Sequence, residues 1–172
     1  EALHYINYIL MPMQNAIFGN KSINMKTISP LNPADLPLAW EIEKLSHSFP
    51  WSEETFYSNQ GDHYFNLKIC IDNIMVGFAI TQLILDEATL FNIAIHPDYQ
   101  GKGYGKALLL ELIDNIERKD IATLWLEVRE SNQKASNLYE SIGFNSVSVR
   151  KNYYPTATGK EDAIIMAYPI KF

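Results

Sequence analysis

The stretch from Leu90 to Ile116 constrains this chain more than any other. It opens with Leu90-Phe91-Asn92-Ile93-Ala94-Ile95, apolar and partly β-branched, which reads as a buried strand closed by His96-Pro97-Asp98. It ends with Leu109, Leu112, Ile113 and Ile116 at i, i+3, i+4 and i+7, the apolar stripe of a helix. Between them lies Gln100-Gly101-Lys102-Gly103-Tyr104-Gly105, followed by Lys106. A strand-to-helix turn with three glycines leaves backbone N–H groups uncovered, and the positive end of the next helix aims at the same spot. That makes an anion cradle suited to a phosphate or pyrophosphate. A glycine-rich turn that binds nothing has the same local sequence.

Spacing narrows the ligand. A P-loop requires Gly-Lys-Ser/Thr, but Gly105-Lys106 is followed by Ala107, and no hydroxyl is placed for Mg²⁺. A dinucleotide fingerprint requires glycine where Lys106 stands.

Two further constellations carry polar groups in apolar settings. In Leu124-Trp125-Leu126-Glu127-Val128-Arg129, strand alternation puts Leu124, Leu126 and Val128 on one face and Trp125 and Glu127 on the other. A carboxylate there must be paired or wet. Glu127 therefore either meets solvent at a sheet edge or serves as a general base facing a cleft. In Asn132-x-x-Ala135-x-x-x-Tyr139-x-x-x-Gly143-Phe144, Tyr139 joins Ala135, Leu138 and Ile142 in a helical stripe, which by itself makes it a core aromatic.

The rest of the chain fits one mixed α/β domain with helices on both faces of a sheet. Lys26–Ile28 reads as a strand, and Asp35 as the cap of a helix lined by Leu38, Ile42 and Leu45. Phe49-Pro50-Trp51 ends that helix, and Ser52 caps the next. Leu67–Ile71 and Met75–Leu85 form a hairpin about Asp72-Asn73. Further strands are expected at 122–128, 144–151 and 163–168, and a helix at 132–142. Tyr153 and Tyr154, with the turn Thr156–Lys160, read as a loop whose aromatics wall a cleft beside Trp51. Glu1–Asn24, with its short apolar run Tyr5–Met11, reads as an added or upstream-started extension outside the catalytic unit 25–172. That run is too short to span a bilayer and lacks the pattern of a signal peptide. A single cysteine, Cys70, permits no disulfide framework or metal cluster and suits a reducing cytoplasm. A net charge of −6 disfavours nucleic acid as the main partner and suits a basic substrate. Glu53, Glu54, Asp62, Asp86, Glu87, Glu161 and Asp162 fall on expected loops or helix starts, where they are expected to surround the cleft. His4, His47, His63 and His96 show no metal-ligand spacing.

Gln100, Gly103 and Gly105 match the Gln/Arg-x-x-Gly-x-Gly/Ala signature of the GCN5-related N-acetyltransferases, and the Asn132–Phe144 pattern resembles the second half of that signature. Four longer strings sharpen the likeness: Phe49–Ser52, Asp86–Ala94, Leu124–Arg129 and Asn152–Pro155. They are similar to the branch that acetylates the N-terminal alanine of the eighteenth small-subunit ribosomal protein. The resemblance covers Met25 to the C-terminus. It implies a mostly antiparallel six- to seven-stranded sheet flanked by about four helices and splayed at an acetyl-CoA cleft. It implies acetyl-CoA as cosubstrate and no metal, with Ile93, Ala94, Ile95, Gln100, Gly101, Lys102, Gly103, Tyr104, Gly105, Lys106 and Asn132 at the cofactor. It also implies Glu127 as general base, Tyr139 as general acid, and the N-terminal segment of a basic ribosomal protein as acceptor. Two rivals stay open: a lysine or small-amine acetyltransferase on the same fold, and a non-catalytic acyl-CoA sensor.

Chemistry bears on the choice. An amine must be neutral to attack a thioester. An α-amine with pKa of about 7.7–8.0 needs modest help, whereas a lysine near 10.4 costs roughly 3 kcal/mol more to deprotonate at the same pH.

Overall fold

The computed structural model describes residues 24–171, so the expected extension lies, but for Asn24, outside the described residues. Seven strands form one sheet: β1 (Lys26–Pro30), β2 (Leu67–Ile71), β3 (Ile74–Ile84), β4 (Glu87–Ile95), β5 (Thr123–Arg129), β6 (Asn145–Thr156) and β7 (Gly159–Pro169). Their order is β1-β2-β3-β4-β5-β7-β6. Only β4 and β5 run parallel; every other neighbouring pair is antiparallel. Among the described residues four α-helices flank the sheet: α1 (Leu36–Ser46), α2 (Glu53–Ser58), α3 (Tyr104–Glu117) and α4 (Gln133–Ile142).

Each face has its own core. Leu108, Leu109, Leu112 and Ile116 of α3 pack on Ile69, Leu124 and Leu126, with Tyr139 of α4 beside them. On the other face Ala39 and Ile42 of α1 and Phe56 of α2 pack on Phe78 and Ile80. The expected hairpin forms between β2 and β3, with Asp72 and Asn73 at φ 50° and 66°, as a tight two-residue turn with right-twisting arms demands.

Two irregularities of β4 create the cleft. Ile80 pairs with Asn92 and Thr81 with Leu90, so Phe91 is an extra residue without an opposite number. Such a bulge turns the following side chains over. Ala88 and Leu90 face the α3 core, whereas Asn92 and Ala94 face α1. In addition, β4 and β5 pair only from Glu87↔Thr123 to Leu90↔Leu126. Beyond that point β5 stays on β7 while β4 runs on to Ile95, and the sheet splays.

Some expectations need correction. Leu45 is 57% exposed, and the buried stripe of α1 is Leu36, Ala39, Ile42 and Glu43. Apolar residues lie all around this helix, so periodicity alone left its phase open. Asp35 sits at the cap position, but its carboxylate accepts from the Asn32 N–H at 2.7 Å and Lys68 Nζ at 2.8 Å rather than from α1. Tyr153 and Tyr154 are not in a loop: β6 runs through both, with its pairing shifted between Arg150 and Tyr154.

Gly77 of β3 lies against the end of β4. A Cβ there would stand 2.5 Å from Ile95 Cδ1 and 2.7 Å from the Ala94 carbonyl oxygen. We expect Gly77→Ala to destabilise the domain by about 2 kcal/mol through overpacking. Thermal unfolding should show Tm lowered by roughly 4–8 °C; an unchanged Tm would mean that β4 yields freely.

Candidate active site

A cavity of about 1030 Å³ opens where β4 and β5 part. The end of β4 and the turn before α3 line one side of it, and β5, α4 and Tyr154 of β6 line the other. The loop between α1 and α2 closes it with Phe49, Pro50 and Trp51.

At the cofactor end, Gly101 and Gly103 have φ of +73° and +82°, and Gly103 immediately precedes the 14-residue helix α3. A Cβ built at either glycine finds no atom within 4 Å, so the backbone presents itself to open space. Gln100 braces the turn by donating from Nε2 to the Ile95 carbonyl at 2.9 Å. Lys106 lines the cavity beside this cradle. The donor set, backbone N–H groups at a helix start with one lysine, fits the diphosphate of a coenzyme. Ile93, Ala94, Ile95, Tyr104, Gly105 and Asn132 also line the cavity. Asn132 caps α4, its Oδ1 accepting from the Ala135 N–H at 3.2 Å, which leaves its Nδ2 for a ligand. Lys102 departs from the group: its Nζ lies 5.6 Å over the Tyr99 ring and it does not line the cavity.

Glu127 and Tyr139 line the same cavity. Glu127 projects from the splayed end of β5, its side chain 26% exposed, and Oε1 is 3.0 Å from Arg150 Nε. Glu127 thus lines the cleft and also has an arginine partner from β6. Tyr139 is both a core aromatic, tilted on Phe144 at 5.6 Å, and a wall of the cavity. Burial pushes its phenol up to about 12. Tyr154 rises to about 12 as well, through burial first and then the nearby Glu127 charge.

Of the expected acceptor residues, Trp51 and Tyr154 line the cavity, whereas Tyr153 does not and is 46% exposed. The Tyr153 ring stands edge-on to that of Tyr154 at 5.0 Å, with Arg150 5.3 Å over it, where the pairing of β6 is shifted between Arg150 and Tyr154. None of the seven acids expected around the cleft lines the cavity. Glu161 binds Arg129, and Asp162 binds Lys151. The carboxylates that do line it are Glu127 and Glu43.

Sequence reasoning missed several members. Arg129 is stacked between Phe49 and Tyr154, its guanidinium 4.8 Å and 4.6 Å from their rings, and so braces the loop against β6. Glu43, His47 and Asn92 form a bonded cluster in the wall. The available signal was Glu43 itself, which shares a face with Leu36 and Ala39 at i, i+3 and i+7.

With strands, bulge and cleft in view, the model of the Acetyltransferase (GNAT) family matches residues 31–144, and the chain belongs to that family. More particularly, it is 61% identical over 146 residues to a "[Ribosomal protein bS18]-alanine N-acetyltransferase" of Salmonella typhimurium, covering 85% of this chain and 99% of that protein. The crystal structure of the ribosomal-protein-S18-alanine N-acetyltransferase from Escherichia coli is 59% identical, with a TM-score of 0.84 over 86% of this chain and 96% of that one. An N-acetyltransferase from Thermoplasma acidophilum in complex with coenzyme A shares the fold at 21% identity, with a TM-score of 0.66 over 84% of this chain and 99% of that one.

Proposed function

We infer that this chain transfers the acetyl group of acetyl-CoA to the α-amine of the N-terminal alanine of ribosomal protein bS18, in the bacterial cytoplasm. The observation that carries the reading is the juxtaposition of Glu127 and Tyr139 in one cavity with the glycine cradle. The relatives at about 60% identity support the acceptor.

Bound acetyl-CoA supplies the thioester as acyl donor. The N–H groups around Gly101 and Gly103, with Lys106, hold its diphosphate, and the freed end of β4 faces its arm. Asn132 Nδ2 is available to the same arm. The acceptor enters past Trp51, Phe49 and Tyr154. Its α-amine is mostly protonated at pH 7, with pKa of about 7.7–8.0, and Glu127 takes that proton directly or through one water. Arg150 Nε, 3.0 Å from Glu127 Oε1, holds the carboxylate in its place in the cleft. Tyr139 serves as a hydrogen-bond donor to the departing sulfur. Burial lifts the phenol to about 12, above the ordinary thiol range, so complete proton transfer to the sulfur is uphill. Its role is therefore to stabilise the developing negative charge, the electrostatic contribution expected of a fixed donor in a dry site.

Mass spectrometry tests the reading. Incubated with acetyl-CoA, a peptide carrying the N-terminal sequence of bS18 should gain one acetyl group on its α-amine. A matched peptide with blocked N-terminus and an internal lysine should stay unmodified. Acetylation of that lysine would make the chain a lysine acetyltransferase, and acetyl-CoA binding without any transfer would make it a sensor.

A further inference from the structure

The cavity wall contains a titratable group that this mechanism does not use. Glu43, on the last turns of α1, is 1% exposed. Its Oε2 accepts from Asn92 Nδ2 at 2.7 Å, and its Oε1 from the Trp51 backbone N–H at 3.1 Å. His47 Nε2 lies 3.0 Å from Asn92 Oδ1 and 3.5 Å from Glu43 Oε2, between two oxygens, and so carries a proton. Both oxygens of the carboxylate are thus met by donors.

The three residues join parts of the cleft that do different work. Trp51 belongs to the loop that walls the acceptor side, and Asn92 follows the bulge of the strand that faces acetyl-CoA. Three residues along α1 from Glu43, Ser46 Oγ donates to the Ile95 carbonyl at 3.0 Å, the same oxygen that Gln100 of the cradle binds. Both functional atoms of the Asn92 side chain are taken, so its rotamer is fixed. Burying a carboxylate solely for stability is a poor choice, since a well-packed apolar residue does as well or better. A fully bonded polar network instead specifies one arrangement.

We propose that Glu43, with His47 and Asn92, is a positioning network that couples the acceptor wall to the cofactor strand, so that Trp51 takes its place against the acceptor when acetyl-CoA is bound. The proposal rests on the acetyl-transfer reading above. Glu43, 1% exposed in the cavity wall, acts through the Trp51 backbone and the Asn92 side chain.

Glu43→Leu and the isosteric Glu43→Gln in the full chain test it, with hydrogen exchange at the Trp51 amide followed with and without acetyl-CoA. In the wild-type chain acetyl-CoA should slow that amide by about threefold or more, and in Glu43→Leu it should not. With an N-terminal alanine peptide, Glu43→Leu should raise KM by about tenfold while the Kd for acetyl-CoA changes by less than about threefold. Glu43→Gln, which still accepts from Trp51 and reaches Asn92, should recover most of the KM. A Trp51 amide indifferent to acetyl-CoA in the wild-type chain overturns the proposal, as does a loss of acetyl-CoA affinity that matches the rise in KM. If Glu43→Leu does not fold, Glu43→Gln and His47→Ala decide: loss of the acetyl-CoA response in His47→Ala supports the coupling, and full retention in both overturns it. The exchange arm needs no acceptor, so a chain that binds acetyl-CoA but leaves the peptide unmodified sinks the acetyl-transfer reading and still decides the coupling.

Discussion

Glu127→Gln is expected to lower the rate of N-terminal acetylation at pH 7 by about 10²–10⁴-fold, the usual range for loss of a general base. The substitution conserves shape, and the glutamine oxygen can still accept from Arg150 Nε, so the 3.0 Å contact and the cleft should persist. What disappears is the site for the proton of the acceptor. Only roughly a tenth to a sixth of an α-amine is neutral at pH 7, and nearly all of it is by pH 9. The deficit of the variant should therefore narrow as pH rises, while acetyl-CoA affinity stays near wild type. Rates measured from pH 6.5 to 9 with the alanine peptide check this. Wild-type turnover at pH 7 would remove the base from Glu127, and a deficit independent of pH would assign it a role other than proton transfer.

Gly103→Val is expected to weaken acetyl-CoA binding by about 100-fold, a difference of about 2.7 kcal/mol. Two effects combine. Gly103 has φ +82° and ψ 10°, a left-handed conformation that a β-branched residue enters only at a cost of about 1–3 kcal/mol. The added side chain would also project into the space before α3, where the coenzyme diphosphate must approach the backbone. No protein atom lies within 4 Å of a Cβ at this position, so the substitution brings no internal clash and the core should survive. Calorimetry with acetyl-CoA should show the loss, and circular dichroism a retained cooperative fold. Unchanged affinity would take the turn out of the binding site.

Much of this site was legible because its signals are local. The cradle is written as a strand, three glycines and a helix within one short stretch, and the backbone has those elements, with positive φ at Gly101 and Gly103. The alternation in Leu124–Arg129 separated Glu127 from the apolar face, and β5 shows that alternation. Illegible features depend on partners distant in sequence. Arg150 meets Glu127 across the sheet, Asn92 meets Glu43 from 49 positions away, and Arg129 reaches Pro155 from 26. The acids of the chain were countable in the sequence, but their net charge did not place them around the acceptor.

By itself the sequence determined what repeats with the period of a helix or strand, what a tight turn requires, and which family signatures the chain carries. Those are properties of residues a few positions apart, where backbone sterics and one-sided burial act directly. Tertiary structure alone decided the phase of α1, the bulge at Phe91 and the parting of β4 from β5 after Leu90. Each of these arises from how one element registers against another, and a shift of one residue exchanges the faces of a strand. That shift turns Asn92 toward Glu43, and the parting beyond Leu126 leaves Glu127 facing an open cleft.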